Sequence, residues 1–115
     1  MSYKNLLLKP NKAAIERTLL GQSVYIRRLT AQEMLDYNAC IDAERAGDND
    51  STKLANMGTE LILSVLMNPD GSRPEKDELP TPAEILRVHS QADILDALTT
   101  VQRHSYGTLE AAEKN

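Results

Sequence analysis

Residues 23–35, SVYIRRLTAQEML, hold the reading that decides the fold. Val24 and Ile26 alternate with polar neighbours, the pattern of a half-buried strand. Arg27 and Arg28 follow, and a helical pattern begins at Thr30 with no linker between the two. Thr30 and Glu33 have the spacing of a capping box. In that arrangement the threonine oxygen accepts from the amide of the third helical residue, and the glutamate reaches back to the amide of the cap. The stretch therefore predicts a strand joined directly to a capped helix.

Downstream, the helix runs from Thr30 to about Arg45, with Met34, Tyr37 or Asn38, Ile41 and Ala43 as its inner stripe; Gly47 and the following DND end it. A second helix is predicted over 51–67, started by Asp50 or Ser51. Leu54, Met57, Leu61, Ile62, Val65 and Leu66 cover more than one of its faces, and Leu63 and Met67 widen the apolar surface further. A helix apolar around most of its girth belongs at the centre of a domain or in an interface between subunits. Residues 68–82 read as a loop, with turn chemistry at Asn68–Pro69–Asp70–Gly71 and further prolines at 74, 80 and 82. Thr81–Pro82–Ala83–Glu84 is a second capping box, with proline at the first helical position. A short helix with Ile85, Leu86 and Val88 follows. Ser90 caps a last helix, carrying Ile94, Leu95, Leu98 and Val101, to about Ser105, with Gly107 as its stop.

Upstream, the residues decide less. AAIERTLL, residues 13–20, fits a short helix capped by Asn11, and equally a strand pairing with Val24–Leu29 across a turn at Gly21–Gln22. Residues 1–12 read as an arm or edge segment, in which Leu6, Leu7 and Leu8 need a partner surface on this domain or on a neighbouring subunit. The expected organisation is thus an arm over 1–12, one helical domain over 13–106 and a flexible tail over 107–115.

Bulk properties narrow the function. The 115 residues fit one domain. With no Phe or Trp and four Tyr, the core must come from Leu, Ile, Val, Met and Ala, a composition that suits helices. A net charge of −4 disfavours nucleic-acid binding, and the helices lack a basic recognition face. The single cysteine, Cys40, excludes an internal disulfide and a multi-cysteine zinc site, and a reducing cytoplasm fits. Neither a signal-peptide pattern nor an apolar run long enough to span a membrane is present.

Catalytic chemistry finds little support. His89 and His104 stand fifteen apart without companion ligands and read as surface or helix-end residues. DNDSTK, residues 48–53, begins like a calcium loop but lacks the glycine at loop position six and has Thr59 where a glutamate is needed. The acidic run at 70–78 reads as a solvated loop. Cys40 reads as a buried small hydrophobe. All five glycines are isolated, so no phosphate loop exists; Gly58, inside the second helix, suggests a close helix–helix contact. Arg27 and Arg28 could bind an acidic partner, or one could pair with Glu33. No enzyme, cofactor or metal is expected.

The order of motifs carries a resemblance. VYIRRLTAQEMLDY resembles the aliphatic–x–aliphatic–Arg–x–Leu–Thr–x–x–Glu segment that opens the helical part of tail assembly chaperones of long-tailed bacteriophages. LILSVLMNPDGSRP is similar to that family's apolar helix followed by an Asp–Gly turn. ILRVHSQADILDALTTVQRHS resembles its last part, with Val88 or Leu86, Ser90, Ala92 and Leu95 at the matching positions. The likeness spans residues 15–106; the proline-rich stretch 74–82 departs from it, and the first ten residues match nothing in it. The resemblance implies a mainly α fold, a small domain of about four helices with a short N-terminal β-hairpin, and so favours the hairpin over 15–29. It also implies a non-enzymatic role. Such proteins bind the tape measure protein, a long aggregation-prone helical chain, and keep it soluble until the major tail protein assembles around it; a longer frameshifted product often shares this domain. A homo-oligomer acting in the cytoplasm of the infected host, absent from the mature virion, is the corresponding expectation. Leu6, Leu7, Leu8, Arg27, Arg28, Leu63 and Met67 are the expected partner or self-association residues. The competing expectation is a small helical regulator with a single protein partner.

Overall fold

The computed structural model describes residues 2–9 and 13–106. The order of elements is α1 (Tyr3–Leu7), β1 (Ile15–Leu19), β2 (Gln22–Ile26), α2 (Ala31–Ala46), α3 (Ser51–Ser64), β3 (Leu66–Met67), α4 (Pro82–Val88) and α5 (Gln91–Tyr106), with a 3-10 turn at Lys76–Glu78. The fold is mainly α, with a small antiparallel sheet in the order β1–β2–β3. The four helices of the domain and the hairpin are as expected from the sequence. The short α1 within the arm and the third strand are additions. Asn11, Gly107 and the tail lie outside the described residues.

The hairpin is closed by a two-residue turn, Leu20–Gly21, one position earlier than the sequence suggested, because Leu19 pairs with Gln22. Both turn residues have positive φ, 53° at Leu20 and 80° at Gly21. This geometry matches the twist of the strands, but only the glycine adopts it without steric cost. The register puts Leu19, Val24 and Ile26 on the inner face, and Ile26 is fully buried.

The segment after α3 departs from the sequence reading. The apolar pattern predicts helix through Met67, yet the helix ends at Ser64, and Leu66–Met67 pairs with Tyr25 and Ile26 as β3. An apolar run of this kind suits a buried helix or a buried strand. Tertiary partners decide between them here: the exposed edge of β2 takes Leu66–Met67, and the Arg27 amide donates to the Val65 carbonyl at 3.0 Å.

The core joins Leu19, Ile26 and Leu29 to Ile62, Leu63 and Val65 at the end of α3, Ile85 of α4, and Ile94, Ala97 and Val101 of α5. The central position of α3 is as expected. By contrast α2 has no buried residue; Met34, Tyr37, Ile41 and Glu44 of its inner face are only half-buried. Its ends are held by polar contacts. Thr30 and Glu33 form the capping box, with Glu33 N–H donating to Thr30 Oγ1 at 3.1 Å and Thr30 N–H donating to Glu33 Oε1 at 2.8 Å. At the other end Lys53 of α3 lies 3.7 Å from Glu44 Oε1, an ion pair too long for a hydrogen bond. Gly58 is a true contact point: a Cβ there would lie 3.2 Å from Leu98 Cδ2 and 3.7 Å from the Tyr37 hydroxyl. The glycine thus lets α2 and α5 close on α3.

Candidate partner-binding surfaces

Arg27 and Arg28 stand at the strand–helix junction, and the fold itself uses both. The Arg27 guanidinium grips Glu33 with two parallel hydrogen bonds, 2.8 Å to Oε1 and 2.9 Å to Oε2, and donates to the Ser64 carbonyl at 3.1 Å. Arg27 therefore ties the first turn of α2 to the last turn of α3. Arg73 reaches the same helix end from the loop, donating to the carbonyls of Leu63, Ser64 and Leu66 at 3.3, 2.7 and 2.9 Å. Helix C-termini expose unpaired carbonyls and a partial negative charge, so cations are favoured there. Arg28 does the same for α5, donating from Nε to the His104 carbonyl at 3.1 Å, while the Leu29 amide donates to Ser105 Oγ at 2.9 Å. The arginine hydrogen bond to Glu33 holds that carboxyl down to about 2 from an ordinary 4.5 and raises Arg27 in turn.

Along the N-terminal half of α3 lies an open groove of about 900 Å³ between α2, α3, α4 and α5. Tyr37 and Ile41 of α2 form one wall and Leu95 and Leu98 of α5 the other; Leu54 and Gly58 of α3 lie between them, and Leu86 and His89 close one end. The lining is mixed: the apolar side chains stand beside Asn38, Asp42, Arg45, Gln91 and Gln102, and Leu95 is 52% exposed. Burial raises the pKa of the Tyr37 phenol. Gly58 itself is buried at the base, with Leu98 and the Tyr37 hydroxyl close to it.

The remaining expected contact residues separate. Leu6, Leu7 and Leu8 are exposed on and just after α1, at 45, 78 and 71%. Leu63 is 9% exposed and is taken up by the protein's own core, which leaves little of it for a partner. Met67 is half-buried opposite Tyr25 in the sheet. None of these comes together with the groove in one copy. The sequence reading missed Tyr37, Ile41, Leu54, Leu95 and Leu98 as a set, although Gly58 signalled where the helices approach.

Two other residues are corrected. Cys40 is exposed rather than buried, since it falls outside the half-buried row Met34, Tyr37, Ile41 and Glu44 of α2. His104 is 6% exposed rather than superficial. It continues the inward row Ile94, Ala97, Val101 at helical spacing, and its Nε2 has no hydrogen-bond partner. Burial lowers its pKa, and the nearby charges of Arg17 and Arg28 add to the effect. Among the described residues no group of three or more His, Cys, Asp or Glu could hold a metal ion, and no helix is long and apolar enough to cross a membrane.

A family model described as phage tail assembly chaperone protein matches residues 2–115, with the capped α2, the apolar α3 and the α4–α5 pair all inside the match. No curated protein matches the chain, and no solved structure does. Assembly chaperones are a non-catalytic kind of protein, in keeping with surfaces built from leucines and helix caps. A match over essentially the whole sequence, on a mainly α domain, makes this chain a member of the phage tail assembly chaperone family.

Proposed function

We propose that the protein binds apolar helical segments of the tape measure protein in the groove between α2, α3, α4 and α5, keeps that client soluble, and helps recruit the major tail protein to it. The observation that carries this reading is the groove itself: about 900 Å³, open to solvent and lined by Tyr37, Ile41, Leu54, Leu95 and Leu98. An amphipathic helix presents apolar side chains at i, i+3, i+4 and i+7, and a cleft between helices accepts that row. A very long client offers many such rows, so several copies bound along it would gain avidity without any new kind of contact. The protein then acts as a homo-oligomeric or multiply bound chaperone in the cytoplasm of the infected host and leaves before the virion matures. It performs no catalysis.

Co-expression with the tape measure protein tests this. The wild-type chain should move the client into the soluble fraction. Leu95→Asp should leave the fold intact, because the side chain is half exposed, and should abolish the solubilisation by placing a charge in the apolar groove. A client that stays soluble with Leu95→Asp, or insoluble with the wild type, overturns the reading.

A further inference from the structure

We propose that the seam between the strand–helix junction and the last turn of α5 is an acid-released latch, with His104 as its trigger. Two long-range hydrogen bonds cross the seam. Arg28 Nε donates to the His104 carbonyl at 3.1 Å, and the Leu29 amide donates to Ser105 Oγ at 2.9 Å. Ser105 Oγ in turn donates to the Val101 carbonyl at 2.9 Å, which holds the hydroxyl in place for Leu29. The His104 side chain is 6% exposed, and no hydrogen bond reaches its Nε2. A buried polar atom without a partner costs stability, and a buried charge without one costs far more. Neutral imidazole is therefore tolerated at this position, and imidazolium is not.

The charged groups around His104 add to that penalty. On β1, Arg17 shares the inner face with Leu19, two residues along, whereas Glu16 lies on the other face. At the junction Arg28 is anchored on the His104 carbonyl, and Arg27 is committed to Glu33. The charged residues of α3 are Lys53, beside Glu44, and Glu60, which is exposed and off the buried row of Thr59, Ile62 and Leu63. On α5 itself Arg103 is exposed, and the nearest acid, Asp96, stands about two turns back. Burial and the charges of Arg17 and Arg28 all push the imidazole towards its neutral form, and no carboxylate offsets them. Protonation therefore favours a state in which the last turn of α5 lets go of Arg28 and Leu29 and the ring reaches water. The latch is closed above the ordinary histidine pKa of about 6.5 and loosens as pH falls below it. The contact of Leu98 with Gly58, nearer the other end of α5, stays in place.

Amide hydrogen exchange of the full chain, read by NMR at pH 7.5 and 5.5 and corrected for the intrinsic effect of pH, tests the latch. An opened histidine titrates near 6.5, so opening of the seam should rise by up to about tenfold at the lower pH. The Leu29 amide and the amides of residues 102–105 should show that rise, and they should open more readily than α3 at both pH values. His104→Leu should remove the response. Arg17→Glu should shrink it, because a carboxylate then faces the imidazolium, and Arg17→Lys should keep it. Arg17 is exposed, so both of its variants should fold. Seam amides whose corrected exchange is the same at both pH values, seam amides that exchange only together with α3, or a response unchanged in Arg17→Glu would overturn the proposal.

Discussion

Replacing Arg27 with alanine is the sharpest probe of the junction. As a surface contact residue, Arg27 could be removed with little effect on stability. As the clamp between α2 and α3, its loss must be felt throughout the domain. The size of the effect follows from Glu33. Holding a carboxyl at about 2 rather than 4.5 corresponds to about 3 kcal/mol at full value. The two side chains retain 23% and 34% of their exposure, so solvent screening reduces this to about 1–2 kcal/mol. The lost hydrogen bond to the Ser64 carbonyl adds little, because Arg73 still donates to that oxygen at 2.7 Å. Thr30 supplies part of the Glu33 shift and remains, so the expected loss is about 1–2 kcal/mol, or a fall in melting temperature of about 4–8 °C for a domain of this size. Circular dichroism melts of wild type, Arg27→Ala, Glu33→Gln and the double variant supply the measurement, and the cycle should show strong coupling. The pH dependence has a definite sign. Glu33 has a depressed folded pKa, so its stabilisation is complete above 4.5, declines as pH falls below that value, and is gone once pH passes below about 2. The gap between wild type and Arg27→Ala should narrow over the same window. A melting temperature within about 1 °C of wild type at neutral pH, or a gap that does not change on acidification, would refute the clamp.

Four further outcomes are expected. Between pH 8 and 5 the stability of the wild type should fall on acidification, because buried His104 resists the proton that an unfolded histidine accepts near 6.5; His104→Leu should flatten that slope in melts across the range. Gly58→Ala should sit within about 1 kcal/mol of wild type, since gained helix propensity offsets the 3.2 Å approach to the mobile end of Leu98; Gly58→Ile should lose about 2 kcal/mol or more by urea titration. Leu63→Asp should fail to fold, as seen by loss of the helical signal, because it buries an unpaired charge. Ile26→Ala should cost about 3 kcal/mol in the same titration, since its side chain is completely enclosed between sheet and helices.

Local chemistry was the legible part of this chain. Thr30 with Glu33 and Thr81 with Glu84 form the capping boxes their spacing announces, and Ser90 Oγ accepts from the Asp93 amide as the start of α5. These features involve residues three apart, so nearby sequence contains everything needed to read them. The end of α3 was not legible in this way. Leu66 and Met67 extend a helical apolar pattern, and only distant residues, the β2 edge and Arg27, draw them into a strand. The same holds for the site. Leu98 and Tyr37 meet over Gly58 from helices far apart in the chain, and no periodicity reports that meeting. His104 is a different case. It reads as a surface or helix-end residue from the sequence, yet it stands in the inward row of Ile94, Ala97 and Val101; position on the helix prevailed over residue type. The roles of Arg27 and Arg28 divided similarly, since the sequence places them beside Glu33 but cannot place the carbonyls of Ser64 and His104 within reach.

The absence of any fully buried residue in α2 has a consequence for how the groove works. An element held by capping hydrogen bonds, one clamp and a half-buried stripe has little to lose when it detaches, so it occupies the low end of the domain's range of local opening free energies. Its amides should exchange with solvent faster than those of α3 and α5, which hydrogen-exchange mass spectrometry can measure. Since α2 forms one wall of the groove, the width of the cleft is then set by a more yielding element than the one that forms its base. Such a cleft behaves less like a mould than like a jaw with one sprung side, able to close on leucine, methionine or larger side chains at little difference in cost.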